Sequence, residues 1–500
     1  GFIGCEVMSV LNENQLLGAS GAGGDYEIEQ SLRLNIDTPK WIKRTPSSDS
    51  NRKTWTLSMW HKRGAVGRNL TEILFKGGGS GGSGIIAMHL TNSSYAAEDK
   101  IWLSFDGATG ANPVTNRVFR DPSGWMHIVL RFDTTQSTVT DRARLYINGE
   151  LIISTDYTFL WSTSWAGITQ NSDWNVNKSG IEHSFGAHQT NQPLDGYLAD
   201  IAFVDGQSLG PDSFGETGDY GEWKPIDVSG LTFGTNGYHL DFADSSAMGN
   251  DANGSNNFTL YNITANDQMV DSPTNNFATL NPLSSFTGYA TALLSEGNLQ
   301  ASLPDNAEGK GSISVSSGKW YFEGFAKTAT SNKLAFGIHK ADGIYTGGTS
   351  IPNNSSAGLV WFGHNGIQGY ASDSSYGTFT TGDIIGVKLD MDSKTIQFTK
   401  NGTAQGTKDF SSANFDTVVA SVFSGQTSNV GVLNFGADSS FAGNKTPQGN
   451  QDSNGIGDFF YAPPTGFLSL CTKSLPSVDV IPSEHFNTVL YTGNGADNHA

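Results

Sequence analysis

Apolar and polar residues alternate along most of this chain, and one block of alternation is written twice. In the first copy, GWMHIVLRFD from Gly124, the residues Met126, Ile128, Leu130 and Phe132 share one face. A polar insert follows, and then ARLYINGELI. In the second copy, GDIIGVKLDMD from Gly382, the residues Ile385, Val387, Leu389 and Met391 share one face, and SKTIQFTKNGTAQGT follows. Period two is that of a strand with one buried face. Each copy predicts a strand, a polar connection, a second strand and an Asn-Gly hairpin turn, at Asn148-Gly149 and at Asn401-Gly402. Two such meanders far apart in sequence predict two all-β domains of related architecture.

The flanking segments carry the same period. SLRLN opens the first region. TWTLSMWHKR follows, with Trp55, Leu57 and Met59 alternating against Thr56, Ser58 and Trp60. KIWLSFDG sets Ile101, Leu103 and Phe105 on one face, and DGYLADIAFVDG sets Tyr197, Ala199, Ile201 and Phe203 on one face. Short strands, Gly-rich turns and no helical period indicate an antiparallel sandwich. Residues 216–285 hold isolated aromatics in a polar background and read as a connector with a few strands such as YHLDF. A second set of strands begins with SGKWYFEGFAK, where Trp320 and Phe322 face away from Tyr321, Glu323 and Phe325. The Gly- and Ser-rich stretch 18–25 reads as an arm, and EHFNTVLYTGNG near the end reads as the opening of a further β domain. Both ends read as those of a longer chain.

Composition narrows the class. The 48 acidic against 29 basic residues give a net charge of -19, and no basic stripe interrupts it, so nucleic acid is disfavoured as a partner. Two cysteines, Cys5 and Cys471, do not make a disulfide framework. No apolar run approaches the ~18 residues of a membrane-spanning helix. The first ten residues do not make a convincing signal peptide.

These blocks carry a family resemblance. SLRLN, TWTLSMWHKR, GWMHIVLRFD, LYINGE and DGYLADIAFVDGQSL, in that order, resemble a laminin-G/concanavalin-A-like jelly roll over residues 28–215, of the kind found in structural proteins of marine tailed phages. KWYFE, FGI, IIGVKLDMD, FTKNG, VVASV and NFG resemble a SPRY domain over 286–440. SPRY domains are binding modules, so the resemblance implies recognition without catalysis. It also implies a virion protein of fibre, spike or head-appendage type, assembled in the host cytoplasm. Its partners would then be other virion proteins and a host-surface glycan or receptor, and by analogy it would be a homo-oligomer, as a fibre a trimer.

Retaining glycosidases need two carboxylates about 5 Å apart. Glu27 and Glu29 flank the first strand, Asp390 and Asp392 sit in a turn, and Asp200 and Asp205 have opposite parity, so no pair stands mid-strand among aromatics. Gly78-Gly79-Ser80-Gly81-Gly82 matches a nucleophile elbow in spelling, but no helix pattern follows it, as the elbow requires. The ten histidines lack paired metal spacing. Asp106, Asp121 and Asp195 are turn carboxylates of the type that holds calcium at a sandwich rim, yet nothing in the sequence brings them together. No cofactor is therefore expected. The triplets at Asn69, Asn92, Asn257 and Asn262 match a glycosylation acceptor but arise by chance in an Asn-rich chain.

Loop tryptophans remain. LWSTSWAGITQNSDWN places Trp161, Trp165 and Trp174 among Asn, Gln and Ser, a flat apolar face beside polar groups, as sugar stacking uses. Tyr345, Trp361 and Tyr370 offer the same in the second domain. The expectation is an all-β chain of five parts. An arm or anchor spans 1–27, a concanavalin-A-like sandwich 28–215, a connector 216–285, a SPRY-like sandwich 286–440, and a linker with the start of a C-terminal domain 441–500. It would bind a host glycan or protein through irregular loops, above all 158–180. A purely structural capsid or tail decoration is the alternative, and a polysaccharide hydrolase a more distant one.

Overall fold

The computed structural model describes residues 26–64, 66, 71–78, 84–91, 98–105, 111–160, 164–284, 292–341, 358–370 and 373–476. The N-terminal arm up to residue 25, most of the glycine run after Gly78, and residues 477–500 lie outside them. So do Asn69, Asn92, Asp106, Trp161 and Tyr345.

The described chain is all-β, with short 3-10 turns and no α-helix. Two sheets make the first sandwich. In one, strands Ala143–Ile147, Trp125–Asp133, Thr54–Arg63, Gly196–Asp205 and Ser31–Leu34 lie side by side in that order. The other runs Ile101–Phe105, Ile86–Leu90, Glu72–Gly77, His183–Phe185, Trp41–Arg44. The pairings between these strands are antiparallel. The predicted inward faces meet between the sheets: Trp55, Leu57 and Met59 pack with Ile101, Leu103, Phe105, Ile128, Leu130 and Phe132. The second sandwich pairs a sheet containing Asn429–Asn434, Lys319–Thr328, Ile384–Asp390 and Thr395–Lys400 with one containing Ala307–Val315, Val418–Ser424, Leu334–Lys340 and Gly358–Phe362.

The doubled meander is a doubled geometry. Asn148 and Asn401 both have φ of 48°, and Gly149 and Gly402 both have φ of 79°. These are the paired positive angles of a tight hairpin turn. In each copy the asparagine Oδ1 accepts from a backbone N–H two strands back, His127 at 2.8 Å and Ile384 at 2.9 Å.

Three expectations change. First, residues 216–285 are not a connector. Tyr238–Leu240, Thr259–Tyr261 and Gln268–Met269 pair with strands of the first sandwich, and Tyr238, Leu240, Phe242 and Phe258 are in its core. Second, residues 441–475 are not a linker, and the segment from Glu484 expected to open a further domain lies outside the described residues. Leu468–Ser469 pairs in parallel with Lys319–Thr328, and Phe441, Leu470 and Cys471 are in the second core. Third, one alternation breaks. Register shifts between Ala199 and Ala202, with Asp200 at φ 47°, form a bulge. Tyr197 and Ala199 therefore point away from the core that receives Ile201 and Phe203.

The two sandwiches are fused. Tyr197 and Met269 of the first lie in the apolar core of the second. The Tyr197 hydroxyl donates to Gly297 O at 2.8 Å, and Asn298 Nδ2 donates to Gly64 O at 2.9 Å.

Candidate functional site

The tryptophans expected to display flat faces mostly turn inward. Trp174 is 4 % exposed and stands edge-on to Phe105 and Phe132. Its indole N–H donates to Ser172 Oγ at 3.0 Å. Trp361 is fully buried, sits on the inward face of its strand, and donates to Gly377 O at 3.0 Å. Tyr370 is half-buried and edge-on to Phe415 at 5.8 Å. Burying such large rings removes them from water, which favours a packing position for them over a platform. Trp174 and Trp361 therefore do not present a stacking surface.

Trp165 differs. It opens a 3-10 turn, Trp165–Gly167, capped by Ser164 Oγ, which accepts from Ala166 N. Its ring is 6 % exposed and meets Tyr157 and Phe159 edge-on at 5.2 and 5.7 Å. It also borders a surface depression of about 180 Å³, with Tyr157, Ile153, Arg144, Asp141 and Thr140 around it. Its Nε1–H has no acceptor among the described residues. Trp41, Trp55 and Trp60 share that state, so the orphan donor marks nothing alone; the depression it borders gives it meaning.

The polar insert of the first meander builds the rim. Arg142, at its end, donates from Nη1 to Ile168 O at 2.7 Å, from Nε to Gln136 O at 2.9 Å and from Nη2 to Ser137 O at 3.0 Å. One guanidinium thus ties the insert to the tryptophan loop. Asp141 and Arg144 pair at 2.7 Å with about a third of each side chain exposed. Hydrogen bonds to Asp141 and Tyr146 hold the Arg144 pKa above its ordinary value. Burial, helped by Asp156, holds the Tyr157 hydroxyl protonated well above the usual phenol range. The depression so offers a mostly aromatic and aliphatic floor and a rim with one donor fork, one carboxylate and hydroxyls. That set suits a hydroxyl-rich ring. Loop chemistry pointed to Trp165. Asp141, Arg144 and Tyr157 went unmarked, although a long polar insert between two strict strands was their signal.

Ser58 Oγ and His127 Nε2 stand 2.8 Å apart, the spacing of a nucleophile and its base. The Trp223 indole N–H points at His127 Nδ1 at 2.9 Å. Nδ1 must accept that bond, so Nε2 carries the proton and donates to Ser58, which leaves it unable to act as a base. Burial pushes the His127 pKa down to about 3. The carboxylate pairs are also engaged structurally. Glu27 pairs with Lys473, Asp200 with His239, and Asp390 accepts from the Asp392 and Ser393 backbone. Asp205 holds Asn51, Asn177 and Asn236. Of the turn carboxylates considered for calcium, Asp121 caps Ser123 and Asp195 accepts from Gly297 N. Among the described residues, no three His, Cys, Asp or Glu side chains converge to hold a metal.

Comparison with protein families now places both sandwiches. Residues 41–209 match the concanavalin A-like lectin/glucanases superfamily, and residues 319–438 match the SPRY domain. The chain carries a concanavalin-A-like domain and a SPRY domain. Both are β-sandwiches of lectin-like or binding type, and both extend beyond the matched residues into the segments first read as linkers. No curated protein matches the chain. Among solved structures, the SPRY domain of human HERC1 is 20% identical, with 28% of this chain and 91% of that one covered and a TM-score of 0.25. A human SPRY domain is 19% identical, with 29% and 96% covered and a TM-score of 0.23. A heptameric SAP-like pentraxin from Limulus polyphemus is 14% identical, with 37% and 79% covered and a TM-score of 0.25. Nothing about ligand or activity passes from these proteins to this chain.

Proposed function

We propose that this chain is a non-catalytic recognition protein whose concanavalin-A-like domain takes a glycan ring in the depression over Trp165. One observation carries the reading: an indole whose N–H has no acceptor among the described residues borders a depression whose rim supplies a paired guanidinium and carboxylate. Apolar contact with the exposed Ile153 would supply affinity, and Arg144, Asp141 and Thr140 would read hydroxyls. The loops that do this sit on a rigid double sandwich, as recognition loops commonly do.

The resemblance of both domains to modules of marine phage structural proteins supports a place on a virion, as a fibre, spike or head appendage meeting a host surface. A single shallow site binds weakly. Several copies on one particle would raise the apparent affinity, which favours a homo-oligomer, a trimer if the appendage is a fibre. A glycan array with the purified chain tests the binding. Retention of at least one glycan, with no reducing sugar released from it, is expected. An array without retained glycan favours a purely structural decoration, and released sugar favours a hydrolase.

A further inference from the structure

The strand Ala143–Ile147 has the Trp165 depression at its start. At its other end, roughly 13 Å away at ~3.3 Å per residue, a second cleft of about 170 Å³ opens beside Ile147 and Asn148. His61, Arg63, Arg117, Arg120, Trp125 and Met126 line it. In a chain with a net charge of -19, three arginines around one small cleft are unexpected.

Asp99 organises two of them. It is 3 % exposed, and its carboxylate receives Arg63 Nη1 at 2.8 Å and Arg120 Nε at 2.7 Å. Arg63 also donates to Phe119 O at 2.7 Å and has Glu72 at 3.7 Å, so it is spent on fixing the loop. Arg120 is not. Half its side chain is exposed, and its two Nη atoms make no hydrogen bond to the described residues. Arg117 lies over the Phe119 ring at 5.6 Å and makes an exposed pair with Glu150 at 3.2 Å, which a ligand can displace. Asp121 does not compete for these groups at full strength, because its Oδ1 accepts from both N and Oγ of Ser123.

His61 supplies the complementary feature. Its Nδ1 lies 3.0 Å from Tyr197 O. A carbonyl oxygen only accepts, so Nδ1 carries the proton and Nε2 is an acceptor. Nε2 is buried and has no donor among the described residues. Burial pushes the His61 pKa down to about 3, so the ring remains an acceptor at ordinary pH. A buried acceptor without a donor is costly, and a ligand hydroxyl would satisfy it. Trp125 and Met126, both half-buried, add an apolar wall.

We infer that this cleft is a second ligand site, for a small hydroxylated carboxylate of the uronic-acid class. The carboxylate sits on the forks of Arg120 and Arg117, and a hydroxyl donates to His61 Nε2. Planar guanidinium forks match a carboxylate with two parallel bonds, a geometry that a neutral sugar cannot use. The size fits one ring, being below the ~300 Å³ of pockets that hold larger ligands. Formal charges around the cleft nearly cancel, so selection comes from directed bonds and not from long-range attraction. The site stands whether or not the Trp165 depression binds a glycan.

The test titrates the full chain with sodium D-glucuronate, D-glucose and sodium sulfate by calorimetry at low salt. Glucuronate should bind at least tenfold more tightly than glucose, and more tightly than sulfate, which has the charge but no hydroxyl to give His61. Arg117→Gln/Arg120→Gln should weaken glucuronate at least tenfold with an unchanged melting temperature, and Lys319→Gln, on the second sandwich, should leave it unchanged. As a second readout on the unaltered protein, glucuronate should shift the His61 Nε2 resonance in nitrogen-15 spectra. Glucuronate binding no better than glucose, an unaffected double variant, equal loss in Lys319→Gln, or an unmoved His61 signal at saturation would each overturn the inference.

Discussion

Arg33 and Asp438 lie 405 positions apart and form one ion pair at the seam of the two domains, Nη1 to Oδ2 at 2.5 Å, with side chains 1 % and 4 % exposed. Asp267 and Glu296 stand 3.4 Å from the same guanidinium. Asp438 also accepts from Ser440 N, Ser440 Oγ and Ala442 N. A strand of the concanavalin-A-like domain is thus locked to the segment that closes the SPRY domain. Removing one partner of a buried pair leaves an uncompensated charge, at a cost of about 3–5 kcal/mol. Arg33→Met should lower stability by that order. In scanning calorimetry it should separate one cooperative transition into two, because the seam is the weakened part. A loss below about 1 kcal/mol with a single transition would show that the seam does not depend on this pair.

Glu323 fastens the end of the SPRY domain. It is fully buried and accepts from Phe460 N at 2.9 Å, Tyr461 N at 2.8 Å, Asn434 Nδ2 at 3.1 Å and the Tyr321 hydroxyl at 3.1 Å. Burial pushes its pKa from 4.5 up to about 7, although the four donors pull the other way. The folded state therefore binds a proton that the unfolded chain has released. Its contribution is complete below about pH 4.5 and is lost as pH rises through about 7, a swing of about 3 kcal/mol at ~1.4 kcal/mol per pH unit. Urea midpoints of the wild type should fall relative to those of Glu323→Gln between pH 4.5 and 8. Parallel curves would contradict this assignment.

Gly149 separates two effects at the first Asn-Gly turn. Its φ is +79°, and an added Cβ would stand 2.5 Å from the Trp223 ring. Gly180 has φ +75° with nothing within 4 Å. Gly180→Ala should cost about 1 kcal/mol from backbone strain alone. Gly149→Ala should cost a further 1–3 kcal/mol, on the order of other overpacked sites. Equal losses in chemical denaturation would show that Trp223 moves aside freely.

These features explain which parts of the fold were readable in the sequence. Strands with one inward face declared themselves through Trp55, Leu57 and Met59 or Ile385, Val387 and Leu389, because burial on one side imposes period two. The segments 216–285 and 441–475 did not. Their strands are only two or three residues long, as at Leu468–Ser469, too short for any period to register. The bulge at Asp200 broke an alternation that looked continuous, since positive φ at a non-glycine leaves no spelling in the sequence. Trp174 read as exposed because its neighbours Asp173 and Asn175 are polar, whereas Trp361 stands between Val360 and Phe362 in an apolar strand that already marked it for the core. A loop folded over a sandwich takes its anchors inward whatever its flanking composition. Trp165 was found for its residue type, while its partners Asp141 and Arg144 come from a different segment, brought there by the Arg142 clamp.

The recognition reading is tested most directly by titrating a glycan retained on the array into wild type and Arg144→Ala. Arg144 lies on the rim with a third of its side chain exposed, so its loss should leave folding intact. Binding should weaken at least tenfold at an unchanged melting temperature, while Trp361→Phe, altered only in the SPRY core, should bind as wild type. Equal affinity in wild type and Arg144→Ala would contradict the assignment of the Trp165 depression.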